Sequence, residues 1–222
     1  WSPDPIASET LPLEQIIELQ KQHSEASICI MNISTSEGIS ILKSNNIKVM
    51  SSVSWWHLVA DRNNLSPCEI GWRVTPSLGG IKDRTSLING LRENEITAVA
   101  VHAVPQEAEE LQLPPDQRAP GICGHQLVLP SLWQELVVKE KFSIEKLWQA
   151  LSFGPSKMLK LKQEKLQEGS RRWLLYDPDK IWEQNRNLKN FSLAANHPWQ
   201  EEKIKGKVIA CGLTDEGLQF GD

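Results

Sequence analysis

Short apolar runs alternate with amphipathic segments over the first hundred residues. The runs "ASICIM" (26–31), "IKVMSSV" (47–53) and "ITAVAVHAV" (96–104) contain almost no polar alternation. Such runs are typical of strands that are buried on both faces of a sheet. Strands that alternate with helices at this spacing indicate βαβ units, so the pattern predicts an α/β fold around a parallel sheet.

The segments around these strands predict three helices. In "STSEGISILKSNN" (34–46), Ser34 and Glu37 have the spacing of a capping box, which predicts a helix that starts there. The segment "DRTSLINGLREN" (83–94) predicts a helix that starts at Asp83. A helix over 11–23 is predicted from apolar positions at helical spacing: Leu13, Ile16, Ile17 and Leu19.

The pattern changes after Ala103. The segment "PQEAEELQLPPDQRAPG" (105–121) is acidic, rich in proline and without periodicity, which predicts a long loop of the kind that carries functional residues. The next segments predict helices over 124–140, over 143–154 with Ser143 as the cap, and over 155–161. The strand-like segments "RRWLLYDP" and "GKVIACG" predict a small β appendage beside the sheet.

Composition narrows the classes of function. The chain has 222 residues, of which 40% are hydrophobic and 23% charged, so we expect a globular protein with one sizeable core. A net charge of −4 gives no general attraction to nucleic acid or to an anionic membrane. No apolar run approaches the roughly 20 residues of a membrane helix, and no signal peptide is visible, so a soluble, cytoplasmic protein is expected. Because the chain begins at Trp1 in a loop-like segment, we expect an upstream segment to be missing.

Common catalytic motifs are missing from the sequence. It has no phosphate-binding glycine loop, no GxSxG and no HExxH. The four cysteines include no CxxC pair, which predicts free thiols rather than a zinc knuckle or a disulfide framework. They are spread along the chain as Cys29, Cys68, Cys123 and Cys211.

Any chemistry must therefore come from side chains at the ends of strands. In parallel α/β folds, functional residues lie just beyond the carboxyl ends of the strands. Four polar residues have that placement: Asn32, His57, Thr75 and His102. Two histidines with no acid among them do not make a hydrolytic zinc site, which needs about three protein ligands.

Each histidine also has a structural interpretation. His57 can be a core residue packed under Trp55 and Trp56, and His102 can be a packed residue too. Three further histidines stand in helix-end or loop contexts that favour surface or capping roles: His23, His125 and His197. Tryptophans at helical or strand positions are expected to fill the core and interfaces, since no basic cluster accompanies them. They include Trp133, Trp148, Trp173 and Trp182.

The order of several segments resembles the C-terminal two-thirds of a dihydroorotase, most closely the cyanobacterial dihydroorotase-like branch. The segments are "ICIMNIST", "SSVSWWHLV", "WRVTPSLGGIKDRTSLINGLRENEITAVAVHAVPQ", "APGICGHQLVLPSLW", "LWQALSFGPSKMLKL" and "LLYDPDKIW". The resemblance implies part of a (β/α)8 amidohydrolase barrel over 1–165 and a small β-sandwich-like appendage over 166–222. It also implies zinc-dependent opening and closing of a cyclic amide in pyrimidine synthesis, with an aspartate that carries the proton.

The family motifs are only partly kept. By the resemblance, His57 in "WWHL" keeps a metal-ligand position, whereas Asn32 in "NIST" stands in place of a zinc histidine. Val101 in "VHAVPQ" falls on the catalytic aspartate. In "TPSLG", Thr75 and Gly79 replace the asparagine and arginine that clamp the substrate. The HxH metal pair would lie upstream of Trp1.

The same resemblance also predicts a substrate-binding site formed by Thr75, His102 and Gly121. Valine cannot carry a proton, and one imidazole binds zinc too weakly for hydrolysis, so we expect neither turnover nor bound zinc from this chain. With four or five barrel strands, the chain is also expected to expose a sheet edge.

Three functional hypotheses remain open from the sequence. The chain is a dihydroorotase by descent, with any activity in the parent protein. Alternatively, it is a non-catalytic partner that stabilises aspartate transcarbamoylase or another pyrimidine enzyme, or it forms a homo-oligomer. The third hypothesis is a protein that binds a small molecule without turning it over.

Overall fold

The computed structural model describes residues 3–45, 49–65, 72–114, 116–163, 165–184, 192–199, 203–214 and 217–220. For residues 213–214 and 217–220 it describes the backbone only. Cys68 lies outside these ranges. The helices are α1 Ala7–Gln22, α2 Ser36–Ser44, α3 Trp56–Val59, α4 Ile81–Glu93, α5 His125–Leu132, α6 Ile144–Trp148 and α7 Gly154–Met158. The strands are β1 Cys29–Ile30, β2 Met50–Ser54, β3 Ala98–Ala100, β4 Leu174–Glu183, β5 Lys203–Thr214 and β6 Gly217–Phe220.

The three apolar runs form the predicted parallel sheet, in the order β1-β2-β3. Cys29 is level with Met50, and Val53 is level with Val99. Val53 is fully buried and Val99 nearly so, which explains why these strands lack polar alternation. The described residues contain three parallel strands where four or five were expected, and β1 and β3 each pair only with β2.

The helix α2 is capped one residue later than predicted. Thr35, not Ser34, is its N-cap, and the Thr35 side chain accepts a hydrogen bond from the Gly38 N–H at 2.9 Å. The N–H of Ser34 donates to Glu9 Oε2 at 2.8 Å. The helix α1, which carries Glu9, begins at Ala7, four residues earlier than predicted.

The start of α4 also differs from the prediction. The helix begins at Ile81, and Asp83 lies inside its first turn. Asp83 Oδ2 accepts from the Gly80 N–H at 2.9 Å, and Asp83 Oδ1 accepts from the Ser36 N–H at 2.9 Å. One carboxylate therefore satisfies backbone donors at the starts of both α4 and α2.

The second half of the chain is helical as predicted, with interruptions. The segment predicted as one helix over 124–140 is α5 followed by π-helical turns at Trp133–Lys139. Ser143 caps α6 as predicted, since its side chain accepts from the Lys146 N–H at 3.1 Å. A second π-helical stretch at Gln149–Phe153 leads into α7. Within the described ranges, no helix has the length and apolarity that crossing a membrane requires.

The tail forms the antiparallel sheet β4-β5-β6. Both strand-like segments of the tail are confirmed as strands, and β6 adds a third that was not predicted. Trp133 of the helical region contacts Tyr176 of β4, with ring centroids 5.1 Å apart. The tail sheet therefore packs on the helical region, and a division of the chain at residue 165 stays a prediction.

The segment 192–199 between β4 and β5 returns to the main core. The indole of Trp199 lies 5.1 Å from that of Trp72 and 6.3 Å from that of Trp55, centroid to centroid. His197 is only 3% exposed, so its predicted surface or capping role is wrong. His23 is the exposed C-cap of α1 and His125 is exposed at the start of α5, as predicted.

Candidate functional site

A cluster of polar side chains joins the carboxyl ends of the three parallel strands. Asn32 follows β1, Ser54 ends β2, and His102 follows β3. Ser54 Oγ donates to Asn32 Oδ1 at 3.0 Å, and His102 Nε2 donates to the same oxygen at 2.9 Å. Asn32 has a φ of 63°, a left-handed conformation that asparagine tolerates better than most residues.

The side-chain oxygen of Asn32 therefore already accepts hydrogen bonds from Ser54 and His102. That oxygen takes two hydrogen bonds, and the amide nitrogen carries hydrogens, so neither atom offers the nitrogen lone pair of an imidazole. His102 donates its Nε2–H in this bond, so that nitrogen does not offer a lone pair to a metal ion. Where the resemblance places a zinc histidine, this chain therefore has a hydrogen-bond acceptor for His102.

His57 lies in the core behind this edge. It is 2% exposed in the short helix α3, and its Nε2–H donates to the Ser77 carbonyl at 3.3 Å. Among the described residues its Nδ1 has no hydrogen-bond partner. Burial lowers the pKa of His57 to about 4, so its imidazole is neutral near pH 7. The assignment of His57 to a metal-ligand position stays a prediction.

An indole contacts both histidines. The Trp56 ring centroid lies 6.3 Å from that of His57 and 5.8 Å from that of His102. Across the described part of the chain, no three side chains of His, Cys, Asp or Glu lie together where they could hold a metal ion. The donors that the structure describes therefore do not fit a zinc ion bound through three ligands of this chain.

Val101 is 42% exposed directly after β3. Its isopropyl group offers neither a proton acceptor nor a metal ligand. Two other apolar side chains beyond the same ends of the strands are also exposed, Met31 at 64% and Val104 at 44%. The carboxyl edge of the sheet therefore combines the Asn32–His102 pair with an apolar surface.

A cavity of about 600 Å³ lies beside this edge. Segments of the chain at 3–16, 30–35 and 75–79 line it. It brings together Asn32, Thr75 and Gly79, three positions that the sequence singled out. His57, His102 and Gly121 are not part of its lining, although His102 is hydrogen-bonded to Asn32.

Two carboxylates that the sequence did not single out tie the amino-terminal segment to this cavity. Asp4 and Ser77 form a reciprocal pair: the Ser77 N–H donates to Asp4 Oδ2 at 2.8 Å, and the Asp4 N–H donates to Ser77 Oγ at 2.7 Å. Glu9 accepts from the N–H and hydroxyl groups of Ser34 and Thr35. Since the partners are 25 or more residues away, no local pattern indicated these contacts.

The position of Gly79 leaves little room for a side chain. The Gly79 carbonyl accepts from the Arg62 N–H at 3.0 Å. A Cβ at Gly79 would lie 2.6 Å from the Cβ of Asp83, which is held by its two backbone bonds. Arg62 is exposed and lines the same cavity.

Gly121 is a packing position in this structure. Its N–H donates to the Arg73 carbonyl at 2.7 Å, and its own carbonyl accepts from Asn196 Nδ2 at 3.0 Å. A Cβ there would lie 2.6 Å from the Cβ of Val104. Its assignment to substrate binding stays a prediction.

Asn196 is a structural residue that sequence patterns did not reveal. It is 2% exposed, and its Nδ2 donates to the Val104 carbonyl at 2.8 Å as well as to Gly121. Its Oδ1 accepts from the Gln106 N–H at 3.0 Å. A single amide thereby fixes the loop that follows β3 against the tail segment.

Comparison with known proteins gives this site a context. No family model matches the chain. It is 35% identical over 219 residues to a probable dihydroorotase-like protein of Synechocystis sp., covering 94% of this chain and 48% of that protein. It is 31% identical over 153 residues to a dihydroorotase of Listeria monocytogenes, covering 66% of this chain and 36% of that protein.

The fold comparison agrees with the sequence comparison. The L-hydantoinase (dihydropyrimidinase) of Arthrobacter aurescens superimposes with a TM-score of 0.79 at 19% identity, over 94% of this chain and 48% of that one. The chain shares the fold of this neighbour over nearly all of its own length, and it is mixed α/β as predicted. The chain spans about half the length of the curated relatives it matches, less than the two-thirds expected. It is a dihydroorotase-like protein over nearly all of its own length.

Proposed function

We propose that this chain is a non-catalytic dihydroorotase-like protein of pyrimidine metabolism. It would keep part of a (β/α)8 barrel and a small β appendage while lacking the hydrolytic centre. The observation that carries the proposal is the hydrogen bond between His102 and Asn32. At position 32, where the resemblance expects a zinc-binding histidine, the side chain is an amide that is hydrogen-bonded to His102.

The chemistry supports this proposal from two sides. Hydrolysis of a stable cyclic amide needs a Lewis acid that lowers the pKa of bound water and a group that carries the proton. Val101 stands at the position of the proton carrier and cannot ionise. The Nε2–H of His57 is hydrogen-bonded to the Ser77 carbonyl, and the side chain is buried. Neither feature favours metal binding by His57.

Direct assay tests the proposal. The purified chain is incubated with dihydroorotate in buffer containing zinc, with the Listeria monocytogenes dihydroorotase as the positive control. We expect no hydrolysis above the buffer rate and less than one zinc per chain by elemental analysis. Turnover together with stoichiometric zinc would overturn the proposal.

A second candidate function, as a structural partner, is favoured by the open sheet. Within the described residues β1 and β3 each have one edge without a neighbouring strand, and Met31 and Val101 are exposed beside them. Unpaired edges are covered in most proteins. We therefore propose that the chain binds and stabilises a cytoplasmic pyrimidine enzyme, with aspartate transcarbamoylase as the first candidate.

This role has its own test. Aspartate transcarbamoylase from the same cell is heated alone and with an equimolar amount of the chain, and its residual activity is measured. Protection that is lost with Met31→Lys/Val101→Lys supports the partner role. Equal inactivation with and without the chain, together with no co-elution, contradicts it.

A further inference from the structure

We propose that copies of this chain associate head to tail, with the basic segment of one copy, residues 157–163 and 165, bound to the acidic segment of the next, residues 107–114 and 116. This association is independent of the proposed lack of catalysis. Three features support this proposal. The basic segment carries exposed leucines beside its lysines. The acidic segment carries the opposite charge and also contains leucines, and the two segments lie at opposite ends of the parallel sheet.

The basic segment has the composition of a contact surface. It begins at the end of α7 and carries four exposed lysines: Lys157, Lys160, Lys162 and Lys165. One acidic residue, Glu164, stands among them in the sequence and lies outside the described residues. Leucines stand between and beside the lysines, with Leu159 at 69%, Leu161 at 59% and Leu166 at 83% exposure. None of these lysines forms an ion pair with another described residue. Exposed leucines beside unpaired cations are typical of a surface that is covered by a partner of opposite charge.

The acidic segment provides a matching surface. It follows β3 and includes four acidic residues, all of them exposed and without a lysine or arginine among them: Glu107, Glu109, Glu110 and Asp116. Leu113 is 41% exposed within the segment and Leu111 is half-buried. Charge and apolar groups are therefore combined in the same way on both segments, with opposite sign.

The fold keeps the two segments apart within one copy. The basic segment lies at the amino ends of the strands: Cys29 of β1 donates its thiol to the Met158 carbonyl at 3.6 Å, and Gly154 packs on the Thr97 carbonyl just before β3. The acidic segment continues from the carboxyl end of β3, past Val104 and Gln106. Pairing therefore requires a second copy, and a contact between two different patches is head to tail.

Complementary charge substitutions test the association. The mass of the full chain is measured by light scattering over a range of concentrations. We expect an average mass that rises above the monomer mass with concentration and falls on adding salt, because the contact is electrostatic. The variants Lys160→Glu/Lys162→Glu/Lys165→Glu and Glu107→Lys/Glu109→Lys/Glu110→Lys should each weaken association at least about tenfold.

The decisive sample is an equimolar mixture of the two variants. Charge is again complementary between unlike copies, so we expect the mixture to recover the association of the unaltered chain. The matched control is Lys180→Glu/Lys203→Glu/Lys207→Glu, which makes the same change of net charge in the tail sheet and should associate normally. Leu159→Gln/Leu161→Gln tests the apolar part and should also weaken association.

Three results would overturn the proposal. They are a chain that stays monomeric at every concentration, charge-reversed variants that associate like the control, and a mixture that does not recover association. Circular dichroism confirms that each variant is folded, and the salt dependence of the unaltered chain gives a test that needs no variant.

Discussion

His102 and Asn32 are 70 positions apart in sequence and are joined by a 2.9 Å hydrogen bond across the carboxyl ends of β3 and β1. Ser54 of the central strand donates to the same amide oxygen, so one acceptor links all three parallel strands. Asn32, Ser54 and His102 therefore form a hydrogen-bond cluster at the carboxyl ends of the strands. We therefore expect this cluster to contribute to the free energy of unfolding.

The first prediction concerns this cluster. His102→Ala removes one donor to Asn32 and leaves the bond from Ser54, so we expect a loss of about 1 kcal/mol in the free energy of unfolding, measured by urea denaturation. His23→Ala, at an exposed helix end, is the control and should change stability little. An unchanged midpoint for His102→Ala would show that the bond contributes nothing.

The second prediction concerns pH. The pKa of His57 is about 4 in the folded chain and near 6.5 when unfolded, so the unfolded chain binds a proton first as pH falls. Its contribution to stability is complete above about pH 6.5 and is lost as pH falls toward 4, by up to roughly 3 kcal/mol. The negative charges of Asp83 and Asp4 favour the charged imidazole and reduce this effect.

Unfolding free energies measured by urea denaturation between pH 7 and pH 4.5 check it. His57→Phe, which removes the titrating group at a buried site, should show a shallower decline than the unaltered chain, whatever its stability at pH 7. His23→Ala should keep the full decline. Parallel profiles for the unaltered chain and His57→Phe would contradict the prediction.

The third prediction concerns Asp83. Its carboxylate accepts from the backbone N–H groups of Gly80 and Ser36, at the starts of two helices. Asp83→Ala removes both bonds, and we expect a loss of about 2 kcal/mol in unfolding free energy. Glu14→Ala, on the exposed face of α1, serves as the control for loss of a carboxylate. Thermal melts and urea titrations of the two variants should differ clearly; equal stability would contradict the capping role.

The fourth prediction concerns Asn196. Replacing it with alanine leaves the Gln106 N–H and the Val104 and Gly121 carbonyls without their buried partner. We expect about 3 kcal/mol of destabilisation. Hydrogen exchange should also become faster at Gln106 and at Cys123, whose N–H donates to the Asn196 carbonyl. Gln126→Ala, an exposed amide, is the control, and unchanged exchange at Gln106 would argue against the role of Asn196.

Sequence patterns located most of the elements. The runs that became β2 and β3 are apolar because both faces of the sheet are covered there, and that requirement is visible in a few neighbouring residues. The same expectation is wrong for β1, where Cys29 is exposed and Ile30 is half-buried. The cap at Ser143 and the tail strands are equally local. The resemblance also predicts Asn32 and Val101 as positions where hydrolytic residues are replaced, and that assignment stays a prediction.

Tertiary structure decided the contacts between these elements. Thr35 rather than Ser34 caps α2, and Glu9 from α1 accepts hydrogen bonds from both residues. His197 is buried because the segment 192–199 returns to the aromatic core, and no local pattern distinguishes such a segment from a surface loop. Hydrophobic periodicity depends on adjacent residues, whereas hydrogen bonds between residues 25 to 92 positions apart depend on how the strands and helices pack. The sequence by itself therefore determined most of the elements, and the packing alone determined that Asn32 and His102 meet.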